Sequence, residues 1–233
     1  MSAAAIGVFA AVPSTALPHD PRASVRDAGV SRHVVRFLDG MALPAFVAGT
    51  QALDAAGVED GERCGLFTIS GWDPTHYQPE LEPDEASGYT TVARHYITTA
   101  SPLAWLRKMV NNPLCQLSIT RGLRGPNNHV VGQAPGLALV LTLAGLAIDA
   151  GDADRMLIVA FDAPAGHASD HEVDGSAAAL VLGPADQATT RLDVTRLRAI
   201  DDGRPGPAVG ALDELISGLT PSEHHLVGAR YAG

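Results

Sequence analysis

Charge, cysteine, aromatics and long apolar runs are all scarce in this chain of 233 residues, and each shortage excludes something. Lys and Arg number 16 against 26 Asp and Glu, a net charge of −10. That balance argues against nucleic acid, whose phosphates are held by clustered cations. Two cysteines, Cys64 and Cys115, are too few for a disulfide scaffold. Both stand among apolar neighbours, which predicts two buried free thiols. No run of apolar residues is long enough for a membrane span. The N-terminal MSAAAIGVFAAVPSTALPHD lacks the basic start of a secretory leader, so Ala5–Val12 is expected to be a first strand and the location cytoplasmic. Aromatics are only 5%, whereas hydrophobic residues reach 46% and Ala and Gly abound. This suits close-packed helices on a sheet better than a β-sandwich.

Apolar periodicity alternates between strand and helix. A loop rich in Pro, Asp, Ser and Gly over 13–30 leads to a short helix, Ser31–Leu38. Pro44 sits where a first helical residue belongs, and Ala45–Ala56 continues to a stop at Gly57. Cys64–Ser70 is a strand. Residues 71–90 hold five acidic residues, three prolines and two glycines, which predicts a surface loop or a broken helix. Helix is expected over Pro102–Val110, capped by Ser101, and over Asn111–Ile119. Gly122–Asn128 is a turn and His129–Gly132 a short extended piece. Gly136–Ala150, apolar nearly all round, is a helix buried on several sides. Arg155–Phe161 and Ala177–Gly183 lack alternation, as strands at the centre of a parallel sheet do. A last strand at Arg191–Leu197 and a helix at Ala211–Gly218 complete the pattern. The whole predicts an α/β fold, 1–233 as one domain, with a central mostly parallel sheet and helices on both faces.

Between Ser101 and Gly183 the motifs become specific. Leu117-Ser118-Ile119 ends a helix, then Gly122-Leu123-Arg124-Gly125-Pro126 turns into a strand. A long buried helix follows, then Gly151-Asp152-Ala153-Asp154, a central strand Met156–Phe161, and Asp174-Gly175 leading to Val181-Leu182-Gly183. This succession resembles the N-terminal half of a β-ketoacyl synthase, of the thiolase fold. Residues 31–100 match weakly, and 184–233 little.

Two departures from that pattern bear on function. The position of the synthases' nucleophilic Cys falls at Ala134, and a methyl group cannot be acylated. The chain is also about half the length of a full synthase, and neither of the family's HGTGT-like and GHN-like histidine motifs occurs. Similarity to chain-length factors, relatives that have lost this Cys and often carry Gln there, is supported by Gln133, one position earlier. Gln133 is either a shifted equivalent or a buried amide serving local backbone.

The resemblance implies a non-catalytic partner of an active ketosynthase, in a type II polyketide synthase of highly reducing or aryl polyene-like kind. It implies a heterodimer formed through Asn127, Asn128, His129, Val130, Val131, Gly132 and Gln133. It implies no cofactor of the chain's own. The phosphopantetheine-bound acyl chain is brought by an acyl carrier protein docking mainly on the partner, because carriers are acidic like this surface. A gate region implied for Trp72, Asp73, His76, Tyr77 and Glu80 stops elongation sterically. Trp105 and Met109, at i, i+4, are core or tunnel lining. The alternatives are a diverged acyltransferase or hydrolase with another nucleophile, or a purely structural scaffold.

Other signals are weaker. His167, Asp170, His171, Glu172 and Asp174 are metal-like in type but sit in a Gly-rich loop, and no metal site is expected. Ser101, Ser118 and Ser176 lack a G-x-S-x-G elbow. No phosphate-binding glycine motif is present. Arg121 and Arg124 are expected to form ion pairs within the fold.

Overall fold

The computed structural model describes residues 6–14, 20, 23, 25–26, 30–38, 42–71, 109–162, 175–188, 190–192 and 208–219. Among these, six strands form one sheet in the order β3-β2-β4-β5-β1-β6. They are β1 (Ile6–Val12), β2 (Cys64–Ser70), β3 (Asn127–Val131), β4 (Arg155–Asp162), β5 (Ser176–Pro184) and β6 (Thr190–Leu192). The helices are α1 (Arg32–Val35), α2 (Ala42–Ala55), α3 (Asn112–Arg121), α4 (Ala134–Asp149) and α5 (Ala208–Ser217). Helices α4 and α5 pack on one face of the sheet, and α2 and α3 on the other.

Helices cover both faces, as expected, but the sheet is mixed rather than mostly parallel. Strand β2 is parallel to β3 and to β4, whereas β4–β5, β5–β1 and β1–β6 are antiparallel. The reason lies in where β5 starts relative to β4. Asp162 pairs with Ser176, so β5 starts at the end where β4 stops and must run back. The continuous apolar runs of β4 and β5 report burial from two sides. They say nothing about strand direction.

Two hydrophobic clusters follow from strand alternation. Ile69, Met156, Ile158, Leu180 and Leu182 meet Leu137, Leu141 and Leu212 on the α4/α5 face. Leu66, Leu157, Val159, Phe161 and Val181 meet Phe46, Leu53 and Leu117 on the other. On the edge, β3 has exposed or half-buried residues throughout, in contrast to the fully buried β2.

Local chemistry fixes the element ends. Ser31 caps α1 by accepting from the Val34 N–H. Pro44 lies inside the first turn of α2, where a missing N–H costs no intrahelical bond. Gly122, at φ 63°, ends α3 and donates to the Ser118 carbonyl. The turn after it is laced to the start of β2. Arg124 N–H donates to Gly61 O, Gly125 N–H to Cys64 O, and Leu66 N–H to Pro126 O. At Gly125 any Cβ would lie 2.7 Å from the Gly65 nitrogen, so only glycine lets the turn approach. Arg121 pairs with Asp54 and Arg124 with Glu62, the structural role expected of both. No helix of the described residues is long and apolar enough to cross a membrane.

Candidate functional site

The parallel strands β2, β3 and β4 end together, at Ser70, Val131 and Asp162. Ligand sites of α/β sheets gather at such carboxyl ends. Here β3 leads through Gly132 and Gln133 into α4, which crosses over to β4. The strand therefore stops two residues short of the expected stretch, and Gly132 and Gln133 form the turn. Gly132 N–H donates to Ser70 O at 2.9 Å, tying that turn to the end of β2. Gly136 lies close to Ile69, with no room to spare for a side chain.

Ala134 is the first residue of α4, and its methyl is buried. Gln133 precedes it in extended conformation, with its side chain exposed and making no cap hydrogen bond. The buried-amide alternative for Gln133 is thereby corrected. A side chain at position 134 stands at the positive end of a 16-residue helix, where a thiolate or oxyanion is stabilised. Alanine offers nothing to stabilise.

Asp162 is the polar anchor of this end of the sheet, and it is buried. One oxygen accepts from the Gly71 N–H and the other from the Val209 N–H, both at 2.8 Å. The carboxylate thus joins the end of β2 to the first turn of α5, whose dipole favours it. A Cβ on Gly71 would sit 2.6 Å from the Asp162 oxygen, which explains the glycine. The sequence reading missed Asp162, although an acidic residue closing the run RMLIVAFD was a visible signal. Ser14 also reaches α5, donating from its backbone N–H to Asp213 at 2.9 Å and from its hydroxyl to the other oxygen.

On the α2/α3 face, His129 of β3 lies beside two buried hydroxyls of β2. Its Nδ1 is 2.8 Å from Thr68 Oγ1 and its Nε2 is 3.4 Å from Ser70 Oγ. The Phe161 ring flanks it at 6.0 Å. Burial lowers its pKa to about 4, so the ring is neutral at physiological pH. Cys64 is buried at the opposite end of β2, and burial pushes its thiol up to about 11. Cys115 is only partly buried, against expectation, packed at the margin of the α2/α3 cluster.

Met109 is neither helical nor core. It precedes the turn into α3 and is 48% exposed. Trp72, Asp73, His76, Tyr77, Glu80 and Trp105 lie outside the described residues, as do Ser101, His167, Asp170, His171, Glu172 and Asp174. Among the described residues no group of three His, Cys, Asp or Glu side chains could hold a metal. Ser118 has a buried hydroxyl without a partner, and Ser176 is exposed at the start of β5.

No protein-family model matches this chain, and no curated protein matches it. Solved structures do. The type II polyketide synthase complex AntDE:AntF, an acyl carrier protein with its hexaketide-bound ketosynthase, aligns at TM-score 0.56 and 15% identity. That alignment covers 82% of this chain and 67% of the other. The ishigamide ketosynthase/chain length factor aligns at 0.52 and 16% identity, over 94% and 83%. A Burkholderia phymatum β-ketoacyl synthase aligns at 0.52 and 16%, over 81% and 62%. The fold is that of the ketosynthases and their chain-length-factor relatives. It is thiolase-like, built on one mixed six-stranded sheet with helices on both faces.

Proposed function

We propose that this chain is a non-catalytic, chain-length-factor-like partner of an active ketosynthase, shaping the acyl tunnel while the partner elongates a polyketide or polyene chain. One observation carries the reading: a buried methyl, Ala134, stands at the N-terminus of α4, at the meeting of three parallel strand ends. The place suits a covalent nucleophile, and the residue cannot act as one.

The partner supplies the thiol and the histidines, and carries out decarboxylative condensation of carrier-bound acyl and malonyl units. The acyl carrier protein docks mainly on that partner, away from this chain's net charge of −10. The chain needs no cofactor for this role. Its docking edge is β3. All the large hydrophobic side chains exposed among the described residues lie on or just before α3, on β3, or on α4: Met109, Ile119, Val131, Leu139 and Leu146. A strand edge unpaired among the described residues, with exposed aliphatics on neighbouring elements, suits another chain's strand. In this reading Trp72, Asp73, His76, Tyr77 and Glu80 form the gate, with Trp105, Met109 and Gln133 along the tunnel.

The test is co-expression with a candidate ketosynthase, followed by mass spectrometry of each chain after exposure to acyl-carrier thioester. The expected result is co-purification, acyl adducts on the partner alone, and condensation only when both chains are present. A covalent acyl group on this chain in isolation, followed by elongation, overturns the proposal. Within the active pair, Trp72→Ala lengthens the product; unchanged length rejects the gate.

A further inference from the structure

The neutral histidine in β3 has a consequence independent of any partner. Strand β3 is five residues long and, among the described residues, pairs only with β2. Among the described residues its outer edge has no strand partner, and three of its five residues are exposed. What holds it, besides the ladder to β2 and the packing of Val130 on the α4/α5 cluster, is the His129 ring on Thr68 and Ser70. A neutral imidazole donates from one nitrogen and accepts at the other, and hydroxyls serve both roles.

Among the described residues nothing near the ring compensates a positive charge. Thr68 and Ser70 of β2 and Phe161 of β4 are uncharged. Helix α3 packs on β2 and β3 and brings only Cys115 and Arg121, the latter engaged with Asp54. Helix α4, on the other face, has no ionisable side chain between Ala134 and Ile148. The depressed pKa accordingly has burial as its cause, with no charged neighbour contributing.

We propose that β3 is an acid-released edge strand, locked to β2 by neutral His129 and detached when that imidazole is protonated. Detachment is local for a physical reason. Detaching β3 breaks the β2–β3 ladder and lifts half-buried Val130 from the margin of the α4/α5 cluster, while β2, β4, β5 and β1 keep their mutual pairing and the buried members of both hydrophobic clusters. Elements with few buried contacts open below the global unfolding free energy. If β3 also carries a ketosynthase, the same event undocks it, but the strand's release is measurable without one.

Hydrogen exchange of the full chain at pH 7.5 and pH 4.5, corrected for intrinsic rates, tests this. Protection of amides 127–131 should fall on the order of tenfold to a hundredfold at pH 4.5, with 155–162 staying protected. In His129→Gln, whose amide can still bond Thr68, that pH dependence should vanish. Unchanged β3 protection in the native chain, or an equal loss in the variant, overturns the proposal. Should the variant not fold, histidine ring NMR of the native chain decides. The His129 titration and the loss of β3 protection must follow one curve. An ordinary midpoint with β3 still protected refutes the lock.

Discussion

At the scale of single residues, two side chains define this end of the sheet, one by what it lacks and one by what it holds. Ala134 is a carbon at a place built for charge. Restoring sulfur there is a direct probe. In an Ala134→Cys, Cys115→Ser chain the new thiol should alkylate with a pH midpoint below the ordinary value of about 8.5. Cys64 serves as the internal reference, silent until denaturant exposes it, because burial holds its thiol near 11. A midpoint at or above the ordinary value, read from the pH dependence of iodoacetamide labelling, counts against the charge-stabilising geometry. Asp162 is the opposite case. Its two oxygens each satisfy a backbone donor, so Asp162→Ala strands both, at a cost of about 2–4 kcal/mol in urea denaturation. Asp162→Asn should recover little, since its NH2 faces one of the same donors. The helix that Ala134 opens was legible in the sequence, because its apolar run is local. Asp162 was not, because its partners, Gly71 and Val209, lie 91 and 47 residues away.

At the scale of elements, the sequence told more about existence than about direction. The bounds of β2 agree residue for residue, and α2 and α4 differ by a turn or less at either end. Apolar periodicity and glycine stops carry that information locally. Strand direction is set by where the chain re-enters the sheet, which a run such as AAALVLG does not encode, so β5 was misread as parallel. The side on which an element is left uncovered was half legible. Helix α4 is apolar nearly all round, which promised burial on several sides, and it is buried on the sheet side while Leu139 and Leu146 are 52% and 53% exposed. In the proposed function that exposed pair is part of the surface a partner covers. Leu139→Glu should leave the isolated chain's stability within about 0.5 kcal/mol, as surface substitutions do, while abolishing co-purification with a ketosynthase that binds the native chain. Val131→Lys, on the strand edge, should act in the same sense. Undiminished capture of the partner by both variants would move the interface away from β3 and α4.

At the scale of the whole molecule, the distribution of ionisable groups decides how acid acts. Exposed pairs such as Arg63–Asp154, 2.8 Å apart, contribute little and are screened by salt. Half-buried His129 contributes more. Its folded pKa, about 4, lies below the ordinary 6.5 because burial disfavours the charged ring. A group depressed in this way favours the unfolded chain once that chain begins to bind the proton. Stability is therefore complete above about pH 6.5, erodes as pH falls through the interval, and levels off below pH 4. The span between the two values corresponds to at most about 3 kcal/mol. Carboxylates titrate over the lower part of the same range, so the native curve alone does not isolate the histidine. The difference between native and His129→Gln chains in urea unfolding at fixed pH does. That difference should narrow steadily from pH 7 to pH 4.5, where the native chain has lost its advantage and the variant has not. Parallel curves across the interval would mean that the ring is solvated in the folded chain, and that what lines β2 and β3 is wetter than Thr68, Ser70 and Phe161 make it.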